Sequence, residues 1–345
     1  MKIIYSDRHR LHHGDKEMYR GQLVPCFEKP ERADFVYDAV KARKLGPILE
    51  PKEFPVSAIE RVHSPRYIRF LEKAWDLWTA QGNTNDALPA VWPVRGFRDD
   101  VEPEHFAGKL GLYSYDSGTP LMAGTWAAAK TGADIALTAQ QLVTGGERAA
   151  FALSRPPGHH AGPDFLGGYC FVNNAAVAAQ GFRDNGAQRV VVLDVDYHHG
   201  NGTQSIFYER SDVMFVSIHG DPRTEYPFFL GHANEIGNNE GVGYNKNYPL
   251  PAGSSNALWF DALGDAVRRI NEYRADALVI SLGVDTFADD PISKFQLREP
   301  EYLKLGAQIA ALNLPTVFIL EGGYAVAEIG HNVAHVLQGF EDAVS

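Results

Sequence analysis

Cysteine is nearly absent: Cys26 and Cys170 are the two in a chain of 345 residues. That excludes a disulfide framework and a cysteine-rich zinc module. Long apolar runs are also missing, and none reaches the roughly 18 residues a membrane-spanning helix needs. The first residues, Met1-Lys2-Ile3-Ile4-Tyr5-Ser6-Asp7, lack the apolar segment of a secretion signal. Basic charge is in deficit, with 32 Lys and Arg against 43 Asp and Glu, a net charge of −11. Nucleic acids and anionic membranes attract basic patches, so neither is an expected partner. An acidic surface suits a cationic ligand better. Repeats and low-complexity tracts are lacking too. What is present is core material: 45% of residues are apolar and 22% charged. Such a composition excludes a disordered chain, a coiled coil and a collagen-like chain. The starting expectation is a bacterial-type cytoplasmic enzyme.

Short β-branched runs alternate with helical stretches. Continuous apolar runs at Lys2–Tyr5, Ala149–Leu153, Arg189–Val195, Val213–Ile218, Ala277–Leu282 and Thr316–Leu320 predict strands buried on both faces. Helical periodicity covers Trp126–Leu142, Asn173–Arg183, Leu258–Tyr273 and Pro300–Leu312. This alternation predicts an α/β doubly wound sheet. Residues 81–125 break the rhythm with Gly, Pro, Asn and aromatics. A loop that long is a tolerated surface insertion, an active-site wall or a dimer contact.

Open α/β sheets bind ligands beyond the carboxyl ends of their strands. Here those ends are followed by Arg155-Pro156-Pro157-Gly158-His159-His160, Asp194 through Gly202, His219-Gly220-Asp221, Gly283-Val284-Asp285 and Glu321-Gly322-Gly323-Tyr324. A lone polar residue at one strand end is ordinary, but five such ends on one sheet edge are not. Asp196 and His198, one residue apart, face one point if the segment is extended. With Asp285 they make two carboxylates and an imidazole, a set suited to Zn²⁺ or Fe²⁺ with a position open for water and substrate. His159 and His160, turned into a cleft by Pro156-Pro157-Gly158, form a proton-transfer pair. Asp194 and Asn201 are candidate acceptors that would fix the tautomers of these rings. Tyr324, following two glycines, is placed to donate to a developing oxyanion.

These segments, with Gly167-Gly168-Tyr169-Cys170-Phe171-Val172-Asn173-Asn174-Ala175-Ala176, resemble the motifs of the histone deacetylase-like amidohydrolases. The resemblance covers nearly the whole chain. Within that superfamily the chain resembles the acetylpolyamine amidohydrolases most, through Gly283 to Ser293, Leu23-Val24-Pro25-Cys26-Phe27-Glu28 and the insertion before Gly124-Thr125-Trp126. The resemblance implies an arginase–deacetylase fold, a single parallel sheet of about eight strands flanked by helices on both faces. It implies one domain over 1–345, with 81–125 as an inserted loop at the active-site mouth and a contact in a homodimer. It implies one Zn²⁺ on Asp196, His198 and Asp285, with His160 as general base and acid, His159 as its electrostatic partner and Tyr324 polarising the acetyl carbonyl. Tyr169, Tyr226, Gly168 and Ile292 would line a narrow substrate tunnel. Structural K⁺ would sit at an inner site of Asp194, Asp196, His198, Ser217 and Ile218. An outer one would be formed by Phe207, Arg210, Val213 and Tyr244. An acidic mouth is expected to meet the distal ammonium of a polyamine. The insertion offers Asp99, Asp100, Glu102, Glu104 and Asp116, yet has Gly118 where the resemblance places an acid.

The expected reaction is zinc-dependent deacetylation of small N-acetylated amines such as acetylputrescine, acetylcadaverine and acetylspermidine. The nearest alternative is the same chemistry on acetyl-lysine in a protein. A binuclear manganese ureohydrolase needs further carboxylates, and Thr286-Phe287 follow Asp285 instead. A non-catalytic binding protein would be marked by a lost ligand or a lost tyrosine, and none is lost.

Overall fold

The structure is a computed structural model that describes residues 1–344. Its strands in chain order are β1 (Lys2–Ile4), β2 (Lys16–Tyr19), β3 (Gln22–Pro25), β4 (Ile48–Leu49), β5 (Ala149–Ala152), β6 (Val190–Asp194), β7 (Val213–Gly220), β8 (Asn245–Leu250), β9 (Ala277–Leu282) and β10 (Thr316–Leu320). The helices are α1 (Glu31–Ala42), α2 (Pro65–Thr79), α3 (Phe106–Leu112), α4 (Thr125–Thr144), α5 (Asn174–Asp184), α6 (Asn201–Phe207), α7 (Asn256–Tyr273), α8 (Glu299–Ala310) and α9 (Ile329–Val344). Eight strands form one parallel sheet in the order β4-β1-β5-β10-β9-β6-β7-β8, while β2 and β3 make a separate antiparallel hairpin.

Alternation along each strand sends successive side chains to opposite faces. Ile3, Phe151, Val191, Leu193, Val216, Ile280 and Phe318 pack on one face with α1, α7, α8 and α9. Ile4, Ala150, Val192, Phe215, Val279 and Val317 pack on the other with α2, α4 and α5. Every residue of β5, β6, β7, β9 and β10 is buried, as continuous apolar runs require. Burying each such side chain contributes about 1.5–3 kcal/mol, so the central sheet is a rigid platform.

All six expected strands and four expected helices are present, with ends shifted by a residue or two. The strand expected over Arg189–Val195 stops at Asp194, where the chain begins to bend. The edge strands β4 and β8, the hairpin, and α1, α2 and α9 lie outside those expectations. The 81–125 segment contains α3 and a short antiparallel bridge between Ala87 and Leu121.

A buried ion cluster ties the strand ends together. Glu28, just before α1, takes two hydrogen bonds from Arg155 (Nε to Oε1, 2.7 Å; Nη2 to Oε2, 2.8 Å) and one from Arg32 (Nη1, 2.9 Å). Burial alone would raise the Glu28 carboxyl, but the Arg155 and Arg32 charges hold it below the usual range. Arg155 opens the loop after β5. Arg32 donates to the carbonyls of Glu321 (2.5 Å) and Gly323 (2.6 Å) in the loop after β10. One carboxylate thus braces two loops that end in His160 and Tyr324. Replacing Glu28 with Gln leaves two buried guanidinium groups short of a counter-charge. The expected loss is about 3–5 kcal/mol in denaturant unfolding. By the same measurement Glu147→Gln, which breaks the half-exposed Lys2–Glu147 pair, should cost under about 1 kcal/mol.

Candidate active site

Asp196, His198 and Asp285 come together at the ends of β6 and β9, each offering a ligand atom within 4.8 Å of the others, and all three are buried. Strand alternation does not align Asp196 with His198, and that expectation is corrected. The chain bends after Asp194, and Asp196 Oδ1 accepts from the backbone N–H of His198 (2.8 Å), a local turn that brings both side chains inward. His198 Nδ1 then lies 2.9 Å from Asp285 Oδ2 and 3.5 Å from Asp196 Oδ1. Asp285 Oδ1 accepts from Tyr197 N, and Asp196 Oδ2 from Gly322 N, both at 2.8 Å.

Two glycines make this crowding possible. A Cβ on Gly283 would sit 2.0 Å from Asp196 Oδ2, and one on Gly322 would sit 2.5 Å from that oxygen and 2.7 Å from Asp285 Oδ2. Two buried carboxylates this close repel one another. Burial, then the Asp196 charge, pushes the Asp285 carboxyl up to about 7. Burial raises Asp196 too, but the His159 charge and the His198 ring outweigh it and hold it below its usual range. Burial disfavours a charged His198, yet hydrogen bonds to Asp196 and Asp285 raise it to about 10. A buried pocket that offers two carboxylates and one imidazole fits a divalent cation of borderline hardness.

The two expected histidines stand beside this set with opposite character. His159 Nδ1 meets Asp194 Oδ2 at 3.0 Å and His160 Nδ1 meets Asn201 Oδ1 at 2.6 Å. Oxygen acceptors place the Nδ1 proton on both rings, which leaves His160 Nε2 free as a base. Burial lowers His159, but Asp196 and then Asp194 more than offset it and raise its pKa to about 10. Burial, then the charges of His159 and His198, push His160 well below its ordinary value. One imidazole is cationic and its neighbour, 4.0 Å away between ring centroids, is neutral.

Tyr324 is aimed by its backbone. Gly323 takes φ +135°, and Asp290 Oδ2 accepts from Tyr324 N (2.7 Å) while Asp290 Oδ1 accepts from Ile292 N (3.0 Å). Arg32 lies 4.7 Å from the Tyr324 ring centroid. Burial pushes the phenol well above 10, so it stays a donor.

His160, His198, Tyr324, Gly168, Tyr169, Tyr226 and Ile292 all line one cavity of about 370 Å³. Asp116 shapes its wall by accepting from Gly168 N (2.7 Å) and Tyr226 Oη (2.6 Å). Of the acids offered by the insertion, Asp116 reaches the cavity; Asp99, Asp100, Glu102 and Glu104 are not among its lining residues. The hairpin supplies the opposite wall through Glu17, Met18, Tyr19 and Arg20. Glu17 is buried and accepts from Tyr169 Oη (2.8 Å), and burial pushes its carboxyl up to about 7. Glu225 and Phe228 also line the mouth. The hairpin wall, Asp290 and the Glu28 brace lie outside the sequence expectations. Glu28 and Arg32 do stand four apart, a spacing that signals a pair on or beside a helix.

The residues named for potassium are placed as follows. Asp194 and Ser217 are register partners on β6 and β7, next to Ile218. Ser217 Oγ lies 2.7 Å from His219 Nδ1. The carbonyls of Phe207 and Tyr244 accept from Arg210 N and Phe215 N, both at 2.9 Å, and Val213 opens β7. The Arg210 side chain pairs with Asp212.

Residues 26–340 match the family model of the histone deacetylase domain. The chain is 58% identical to acetylpolyamine amidohydrolase 2 of Pseudomonas aeruginosa, covering 99% of each chain. It is 47% identical to the acetylpolyamine amidohydrolase of Mycoplana ramosa, covering 98% of this chain and 99% of that one. The crystal structure of the acetylpolyamine aminohydrolase of Burkholderia pseudomallei superposes with a TM-score of 0.95 at 40% identity, covering 99% of both chains. The chain therefore belongs to the histone deacetylase family of metal-dependent amide hydrolases.

Proposed function

We propose that this protein hydrolyses small N-acetylated amines, acetylpolyamines such as acetylputrescine, acetylcadaverine and acetylspermidine, to acetate and the free amine. The observation that carries this reading is that a three-ligand cation set reaches, through His198, the same cavity that a neutral imidazole, His160, and a protonated phenol, Tyr324, line. The names of the relatives support the same substrate class.

Asp196, His198 and Asp285 would hold one Zn²⁺, with Fe²⁺ as an alternative. When bound, such an ion supplies a Lewis acid that polarises the amide carbonyl and acidifies water. His160 Nε2 takes a proton from the attacking water and delivers it to the departing amine nitrogen, a service worth about 10²–10⁴ in rate. Cationic His159 offsets the negative charge that develops beside it. Tyr324 Oη–H donates to the carbonyl oxygen as charge builds there. Tyr169 and Tyr226 form the walls that grip the methylene chain, with the Gly168 backbone and Ile292 beside them. Glu17, Asp116 and Glu225 supply acidic groups for the distal ammonium. Lining of the cavity by both the hairpin and Phe228 supports a free amine as substrate over a folded protein.

The same reading includes structural K⁺ at the two sets of residues named for it. The burial of Asp194 beside Ser217 supports the inner one. It includes a homodimer through the 81–125 segment, where Val91, Val94, Phe97 and Val101 are 54–68% exposed. It places the reaction in the cytoplasm; among the described residues no helix is long and apolar enough to cross a membrane.

Tyr324→Phe should lower kcat by about 10²–10³ while the metal content per chain stays unchanged. Near-normal turnover would remove the phenol from the reaction. Assayed side by side, acetylputrescine or acetylcadaverine should give a kcat/KM at least about tenfold above an acetyl-lysine peptide, the margin of a contact worth 1.4 kcal/mol. Equal values would favour a protein deacetylase.

A further inference from the structure

Arg20 sits at the tip of the β2–β3 hairpin, where φ of +50° at Arg20 and +80° at Gly21 turn the chain tightly between the two strands. Its guanidinium lies 5.1 Å from the Tyr19 ring centroid. It is exposed, and it lines the cavity that ends at His160, His198 and Tyr324. Arg223, which precedes the cavity-lining Thr224 in the chain, is paired with Asp221, whereas no carboxylate among the described residues pairs with Arg20. Two acids of the cavity, Glu17 and Asp116, lie deeper, and the third, Glu225 at the mouth, is engaged with Tyr197. Glu17 is 1% exposed and bonded to Tyr169, and Asp116 is bonded to Gly168 and Tyr226 beside His160. From the floor outward the cavity therefore runs from the proton-transfer groups past Glu17 and Asp116 to a mouth where Arg20 is the cation without a carboxylate partner among the described residues.

We propose that Arg20 is a specificity-determining residue that biases the enzyme toward monoacetylated diamines, which carry a single distal ammonium, over acetylated tri- and tetra-amines. This rests on the reading of the site as an amine deacetylase. One ammonium at the end of a short methylene chain meets the acidic wall. The next ammonium of a longer amine emerges at the rim, beside a guanidinium that cannot shed its proton. Two like charges about 7 Å apart, in an effective dielectric of about 40, change relative kcat/KM by about five- to tenfold.

The test compares kcat/KM on acetylputrescine and acetylspermidine for the wild type, Arg20→Asn and Arg20→Asp. Asn and Asp both accept the left-handed backbone at this turn, so the hairpin keeps its shape. The wild type should favour the diamine by about five- to tenfold. The ratio should move toward the triamine in Arg20→Asn and further in Arg20→Asp. Raising salt from about 0.05 to about 0.5 M should shrink the wild-type preference and leave that of Arg20→Asn nearly unchanged. The same ratio in all three proteins, or a wild type that prefers the triamine, would overturn the role of Arg20. A wild type inert to both amines but active on an acetyl-lysine peptide would bring down the reading of the reaction and this inference with it.

Discussion

Two aspartates, Asp196 and Asp285, are pressed together in the dry interior at the ends of neighbouring strands, and the rest of the site answers that constraint. Neither can spread its charge into water, because both are fully buried. Like charges at this separation are tolerated only with positive charge between or beside them. His198 enters the gap, His159 stands next to it, and the donor atoms leave a place for a divalent ion. The same field divides the histidine pair. The carboxylates that make His159 cationic also make that ring a repulsive neighbour, which adds to the effect of burial in keeping His160 neutral. A base and an electrostatic partner thus arise from adjacent residues of one type.

Holding such a cluster takes rigid scaffolding. The sheet fixes the strand ends, and Gly283 and Gly322 remove the side chains that would prevent the carboxylates from meeting. The loops that carry His160 and Tyr324 leave different strands, β5 and β10, and have no local reason to stay in register. Glu28 supplies one by binding Arg155 and Arg32 at once. Asp290 does the same on a smaller scale for Tyr324 and Ile292. The network spends buried charge on orientation, a use consistent with its place behind the reacting groups.

Much of this was legible in the sequence because it is local. The apolar runs marked the six strands buried on both faces, and the polar residues after them marked the site. Asn201 and Asp194 could be named as histidine partners because they share a segment with the ligands. What escaped was long-range or weakly patterned. β4 has two residues, too short for any period to show. β8, Asn-Lys-Asn-Tyr-Pro-Leu, lacks an apolar run and carries a proline that only a sheet edge tolerates. The hairpin turns on Arg20-Gly21 rather than Asn-Gly, so its signal is faint. Glu28 and Arg155 are 127 positions apart, and nothing in either segment announces the other. The insertion supplies one acid of the cavity, Asp116, but Glu17 comes from the hairpin and Glu225 from the loop after β7, because sequence proximity to a loop does not say which loop folds over the strand ends.

If crowded carboxylates organise the site around a cation, metal stoichiometry tests the account most directly. Purified protein stripped with chelator and dialysed against Zn²⁺ should bind one catalytic ion per chain and recover activity in proportion. Asp285→Asn, treated identically and shown folded by circular dichroism, should bind less than about a tenth of that at the same free metal, as expected when one of only three protein ligands is lost. A stripped wild type that keeps full activity, or an Asp285→Asn protein that binds the ion as tightly as the wild type, would contradict it.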